Sequence, residues 1–182
     1  MKKTLLSAVM IASFGMAALA PMSARATNGT ITFNGAITSK TCTVVLNGGT
    51  SGTGTVTLPT VSTSAFGSLG STAGQTPFTI NLSACATGTT TAATYFEAGP
   101  TVNTAGRLIS SGTATGVDLQ LLNSDNSVIT AGGAAPTSGV GVATISSGAA
   151  TLSYFVRYYQ NSATLPGAGS VTSTVNYSMI YN

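Results

Sequence analysis

From Thr27 to Cys42 the chain reads TNGTITFNGAITSKTC, and its apolar positions alternate. Ile31, Phe33, Gly35 and Ile37 fall on one face and Thr32, Asn34, Ala36 and Thr38 on the other, which predicts a β-strand. Similar short runs predict strands at Cys42–Leu46, Thr55–Leu58, Phe78–Leu82, Thr94–Ala98, Val117–Leu122, Ser127–Thr130, Val142–Ile145, Leu152–Tyr159 and Val171–Tyr181. Between them stand turn signals such as Asn47-Gly48-Gly49, Gly132-Gly133 and Pro166-Gly167. Long helical periodicity is absent, and Ser62–Gly74 has room for one helical turn at most. In Val117–Leu122, the alternation places Asp118 and Gln120 on the solvent side. Many short strands with polar turns predict an all-β sandwich or barrel.

The first residues follow a different logic. Lys2 and Lys3 precede an uncharged, mostly apolar run from Thr4 to Ala20, Pro21 breaks it, and Ala24-Arg25-Ala26 supplies a small-x-small cleavage pattern. Residues 1–26 are therefore expected to be an export signal cut before Thr27, leaving no membrane span in the mature chain. Removing them also removes the basic balance. Of the formal net charge of +3, Lys2, Lys3 and Arg25 leave, and Lys40, Arg107 and Arg157 balance Glu97, Asp118 and Asp125. No basic patch remains to attract nucleic acid.

An even number of cysteines, Cys42 and Cys85, in an exported chain predicts a disulfide, and one such bridge across two strands suits an immunoglobulin-like sandwich. The bridge closes a loop of a little over forty residues. Closing it stabilises the fold by roughly 4 kcal/mol in the chain-entropy account. Charged residues make up only 5% of the chain, which suits a Thr-, Ser- and Gly-covered surface that neighbours largely hide.

Reactive chemistry has little to draw on. The sequence contains no histidine, so Ser-His-Asp, Cys-His and imidazole–metal sites are all excluded. Asp125, in Asn123-Ser-Asp-Asn-Ser, reads as a turn former, and the glycine-rich segments lack phosphate-loop spacing. No catalytic residue, metal site or cofactor is expected.

The C-terminal run GSVTSTVNYSMIYN carries a second long alternation. Val171, Val175, Tyr177, Met179 and Tyr181 share a face on which Ser173 is the polar exception. With these features assembled, the chain resembles the chaperone–usher pilins, in particular the major subunits of type 1-type fimbriae. The resemblance rests on the alternating arm with Asn34-Gly35 ahead of Cys42, on Phe78-Thr-Ile-Asn-Leu-Ser-Ala-Cys85, and on Gly116-Val-Asp-Leu-Gln-Leu-Leu-Asn-Ser-Asp. A glycine fourteenth from the end, Gly169, and the penultimate Tyr181 complete it.

The resemblance implies an immunoglobulin-like sandwich that lacks its final strand, a pilin domain over residues 42–182, and a donor-strand extension over residues 27–41. Ile31, Phe33, Gly35 and Ile37 would enter the groove of another pilin subunit in a homopolymer. Gly169, Val171, Val175, Tyr177, Met179 and Tyr181 would border the chain's own groove and engage a periplasmic chaperone. An outer-membrane usher would then assemble subunits into a fimbrium on the cell surface. The implied function is that of a structural fimbrial subunit. A minor adaptor or tip-associated pilin, and a secreted lectin-like sandwich that keeps its arm to itself, are the alternatives.

Overall fold

A computed structural model describes residues 31–35, 37, 39 and 41–182. The expected export signal, residues 1–26, and arm positions 27–30, 36, 38 and 40 lie outside the described residues. The strands all belong to one compact unit, Thr38–Asn182. They are β1 (Thr43–Leu46), β2 (Thr72–Ser83), β3 (Thr91–Phe96), β4 (Leu108–Ile109), β5 (Val117–Asn123), β6 (Val128–Ile129), β7 (Val142–Thr144), β8 (Ala150–Gln160) and β9 (Tyr177–Tyr181).

Two sheets face each other. One runs β1-β2-β8-β5-β4, with β6 also paired to β5, and the other runs β7-β3-β9. All the pairings are antiparallel. The alternation in the sequence explains the layering. Phe78, Ile80 and Leu82 of β2, Leu152, Tyr154 and Val156 of β8, and Leu119 and Leu121 of β5 point into one core, where Ala92 and Phe96 of β3 meet them. The register stacks Phe78 against Tyr154, Ile80 against Leu152 and Leu121 against Val156. Phe96 closes this layer from the opposite sheet, its ring edge-on to Tyr154 at 5.3 Å between centroids, a favoured aromatic geometry.

The expected fold class, an all-β immunoglobulin-like sandwich, is what the chain adopts. Several elements differ from the sequence reading, each for a physical reason. Thr55–Leu58 joins no ladder, yet Val56 and Leu58 still pack on the core. β2 begins six residues earlier than Phe78, at Thr72, despite Gly74 and Pro77. Gly74 takes φ +64° at a register shift, where an added Cβ would lie 2.8 Å from the Tyr158 ring. Only glycine fits that bulge. Ser62–Gly74 contains a single 3-10 turn, Thr63–Ala65, capped by the Ser62 hydroxyl.

Asp118 and Gln120 are not on a wet face. They are 3% and 6% exposed, covered on the outer side of the large sheet by their own polar partners. Asp118 Oδ2 accepts from Asn103 Nδ2 at 2.9 Å and from Arg107 Nε at 3.2 Å, and its Oδ1 accepts from Asn161 Nδ2 at 2.7 Å. Gln120 Oε1 accepts from Arg157 Nε and Nη2 at 2.9 and 2.7 Å. A buried carboxylate is tolerated when donors surround it. Asp125 is the expected turn former: its Oδ1 accepts from Ser127 N and Oγ, which holds its carboxyl below the usual range.

Cys42 and Cys85, 43 positions apart in sequence, form a disulfide. It joins the residue before β1 to a residue two positions past the end of β2, near the Thr43–Ser83 pair. Replacing both cysteines by serine is expected to lower unfolding free energy by about 4 kcal/mol, measured by urea denaturation of the oxidised and substituted chains; equal midpoints would refute this.

Candidate functional site: two free edges over the core

The last strand uses one edge only. Before β9 begins, the chain's even-numbered carbonyls already accept hydrogen bonds. Ala114 N donates to Ser170 O at 2.9 Å, Ser111 N to Thr172 O at 2.8 Å and Glu97 N to Asn176 O at 2.9 Å. Thr101 Oγ1 donates to Thr174 O at 2.6 Å. From Tyr177 the pairing passes to β3, and Asn182 finishes it by exchanging bonds with Thr91. Only Tyr177–Tyr181 therefore counts as strand, although Val171–Tyr181 alternates throughout. Residues 171, 173, 175, 177, 179 and 181 are half-buried, whereas 172, 174, 176 and 178 are exposed.

Backbone groups of successive strand residues point to opposite edges. With the even residues spent on the β3 side, the odd ones face the other edge, where β9 has no strand neighbour among the described residues. β1 is in the same position: it pairs with β2 and ends its sheet. Cys42, Val44 and Leu46, together with Val56 and Leu58, pack against the core yet stay only partly covered. Val171, Val175, Tyr177, Met179 and Tyr181 do the same from the opposite sheet.

Two tyrosines bring these edges together. Tyr177 Oη donates to Gly52 O at 2.6 Å, and Gly52 lies beside Val44, with an added Cβ 3.5 Å from Val44 Cγ1. Burial pushes the Tyr177 phenol above the usual tyrosine range, and Tyr181 nearby adds to it. Burial also raises Tyr181, opposed by a backbone hydrogen bond from Cys42. The two lips are thus the Cys42–Leu58 side and the Val171–Tyr181 side, over a floor of shared core residues. Toward Val171 the space widens into a cavity of about 500 Å³ lined by Val61, Phe66, Val117, Tyr158 and Val171.

Of the residues singled out in the sequence, Val171, Val175, Tyr177, Met179 and Tyr181 come together along one lip. Gly169 stands apart from them in role. An added Cβ there would lie 2.6 Å from the Thr113 carbonyl carbon, so the glycine permits close approach to the 113–114 backbone. Gly52, Val56 and Leu58 were not foreseen as part of the site; the Val56–Leu58 alternation was the available signal. Ser173, the polar exception, has its Oγ buried with no hydrogen-bond partner. In the unit that precedes the sandwich, Ile31, Phe33 and Ile37 are 79%, 89% and 105% exposed, and residues 31–35 belong to no strand.

The comparisons with known proteins bear on this geometry. The family model described as FimA, type-1 fimbrial protein, A, matches residues 58–182. The major fimbrial subunit SMF-1 of Stenotrophomonas maltophilia (strain K279a) is 46% identical over 175 residues, covering 92% of this chain and 100% of that one. The F17 fimbrial protein of Escherichia coli is 39% identical, covering 91% of this chain and 94% of that one. Among solved structures, the P pilus rod subunit PapA superposes with a TM-score of 0.55 at 20% identity, over 84% of this chain and 100% of that one, a likeness of fold. The chain belongs to the type-1 fimbrial protein family and is a structural subunit of a surface fimbrium.

Proposed function

We propose that this subunit polymerises by donor-strand exchange. Residues 27–41 of one copy, freed by removal of residues 1–26, insert between the Cys42–Leu58 and Val171–Tyr181 lips of the next. Ile31, Phe33 and Ile37 enter the core, and Gly35 lies where the groove is shallow. A periplasmic chaperone occupies the same groove first, against Val171, Val175, Tyr177, Met179 and Tyr181. An outer-membrane usher exchanges it for the arm.

The observation that carries this reading is complementarity of need. A row of half-buried core residues has beside it two backbone edges with no strand neighbour among the described residues, and the same chain carries apolar residues Ile31, Phe33 and Ile37 that are largely exposed. An open edge over apolar surface is an association site. Adding a strand satisfies backbone groups and buries alternate side chains together, and the side chains set the register. Burying Ile31, Phe33 and Ile37 contributes roughly 5–9 kcal/mol before ordering costs. Donation from copy to copy is head-to-tail and does not close on itself, so the product is a filament.

Deleting Thr27–Thr41 is expected to leave a subunit that the chaperone still carries but that adds nothing to a fibre, scored by electron microscopy and by co-purification; fibres of normal length from that variant would sink the proposal. Gly35→Leu is sterically free in the subunit itself, since an added Cβ there meets no atom within 4 Å. In the groove it overpacks, and the cost of about 1–3 kcal/mol predicts polymerisation slowed roughly ten- to a hundredfold. Wild-type kinetics of subunit uptake would refute the placement of Gly35.

A further inference from the structure

Asparagine followed by glycine or serine carries a chemistry that needs no enzyme. The backbone nitrogen of the following residue attacks the asparagine Cγ, and an N–Cγ bond forms as the bond from Cγ to the side-chain nitrogen breaks. Ammonia leaves, taking the backbone amide proton with it, and a succinimide ring remains. Water then opens either ring carbonyl to give aspartate or isoaspartate, so one water enters for each ammonia lost. Glycine favours the attack because it has no Cβ to obstruct it and its backbone turns freely.

In this chain Asn28, Asn34 and Asn47 precede glycine, and Asn123, Asn126 and Asn161 precede serine. Asn28 lies outside the described residues. The structure separates the other five. Asn47, at φ +50°, is held at both ends of its reacting unit: its N donates to Thr79 O at 2.9 Å, and its Oδ1 accepts from Thr79 N at 2.7 Å. Asn123 Nδ2 donates to Ser127 Oγ at 3.0 Å, Asn126 Oδ1 accepts from Gln75 Nε2 at 2.6 Å, and Asn161 Nδ2 donates to Asp118 Oδ1 at 2.7 Å. Asn34 is different. It is exposed, residues 31–35 belong to no strand, and an added Cβ at Gly35 meets no atom within 4 Å, so the ring has room to close.

We infer that Asn34-Gly35 is a site of spontaneous deamidation, and that the reaction disarms a donor arm that has waited unused. The disarming rests on donor-strand exchange; the chemistry at Asn34 does not. Aspartate preserves the length of the backbone and sets its carboxylate on the face of Thr32 and Ala36, away from Ile31, Phe33 and Ile37. Isoaspartate instead routes the backbone through its own side chain and inserts an extra carbon between Phe33 and Ile37. Strand faces alternate strictly, so Phe33 and Ile37 no longer share one. Losing the burial of one such residue slows uptake into a fibre roughly tenfold to a hundredfold.

Donation stops the reaction. A strand backbone has ψ near about +135°, which turns the Gly35 nitrogen out of reach of the Asn34 Cγ, and ladder hydrogen bonds keep it there. The same pair of residues is therefore labile in a waiting subunit and durable in a fibre. Fibres are built from fresh arms.

The test ages the mature subunit, residues 27–182, held as its chaperone complex, beside fibres of the same chain. Mildly alkaline buffer favours loss of the Gly35 amide proton, and peptide mass spectrometry with fragmentation counts aspartate and isoaspartate at each asparagine. In the subunit, conversion at Asn34 should outrun that at Asn47 by roughly tenfold or more, since Asn47 must first break two hydrogen bonds. Equal rates at the two positions overturn the site. In fibres, conversion at Asn34 should fall by roughly tenfold or more. Fast conversion at Asn34 in fibres as well keeps the site but overturns strand donation, and the disarming with it.

Uptake of the aged subunit into growing fibres is then measured against its isoaspartate content. Wild-type uptake should fall as isoaspartate accumulates. Asn34→Gln, whose longer side chain must close a larger and slower-forming ring, should start at the wild-type rate and keep it through the same ageing. Undiminished uptake by aged wild type, or an equal loss in aged Asn34→Gln, overturns the disarming.

Discussion

Among the described residues, β1 pairs with no strand but β2, and β9 with none but β3, so each sheet ends in an edge without a strand neighbour. Everything distinctive about the molecule follows from that arrangement. Core residues on both lips are only partly covered, because no strand among the described residues pairs with either edge. Tyr177 of β9 reaches across, donating its phenol to the Gly52 carbonyl. The Tyr177 contact satisfies a carbonyl of the Cys42–Leu58 side through a side chain rather than through a backbone ladder.

The scarcity of charge has a related cause. Asp118 is buried and already surrounded by Asn103, Arg107 and Asn161, and the Arg107 guanidinium also lies 4.2 Å over the Tyr159 ring. Arg157 is turned onto Gln120. The arginines and one of the carboxylates therefore lock the outer face of the large sheet, where they fix β5 against β8 and the loop ahead of β4. What is left outside is mainly Thr, Ser and Gly, a surface with little charge to repel a copy of itself.

Legibility in the sequence tracks how local the deciding interaction is. Phe78–Leu82 and Leu152–Tyr159 could be read because one face is buried and the other wet, which writes period two into the chain. Asp118 and Gln120 carried the same pattern but a false meaning. Their cover comes from Asn103, Arg107, Arg157 and Asn161, distant in sequence, and no alternation encodes it. Thr55–Leu58 has strand-like side chains and no ladder: Val56 and Leu58 pack on the core, which is all that alternation records, and backbone pairing is not written in it. Val171–Tyr181 was legible as an inward-facing row, with Ser173 visible as its exception. That the exception is buried and unpartnered required the structure. The early start of β2 was hidden by Gly74 and Pro77, residues that argue against a strand until the bulge and the end of β1 are seen.

The disulfide has a mechanical meaning as well as a thermodynamic one. Cys42 lies one residue ahead of β1, and it is bonded to Cys85, two residues past the C-terminal end of β2. Tension arriving along the chain from the N-terminal side divides there between β1 and the sulfur bridge. The bridge hands its share to β2, a twelve-residue strand held along most of its length by β8. Without it, the same pull would unzip the four-residue β1 from its end, one rung at a time. Where a short edge strand meets an external load, the covalent bypass turns peeling into shear.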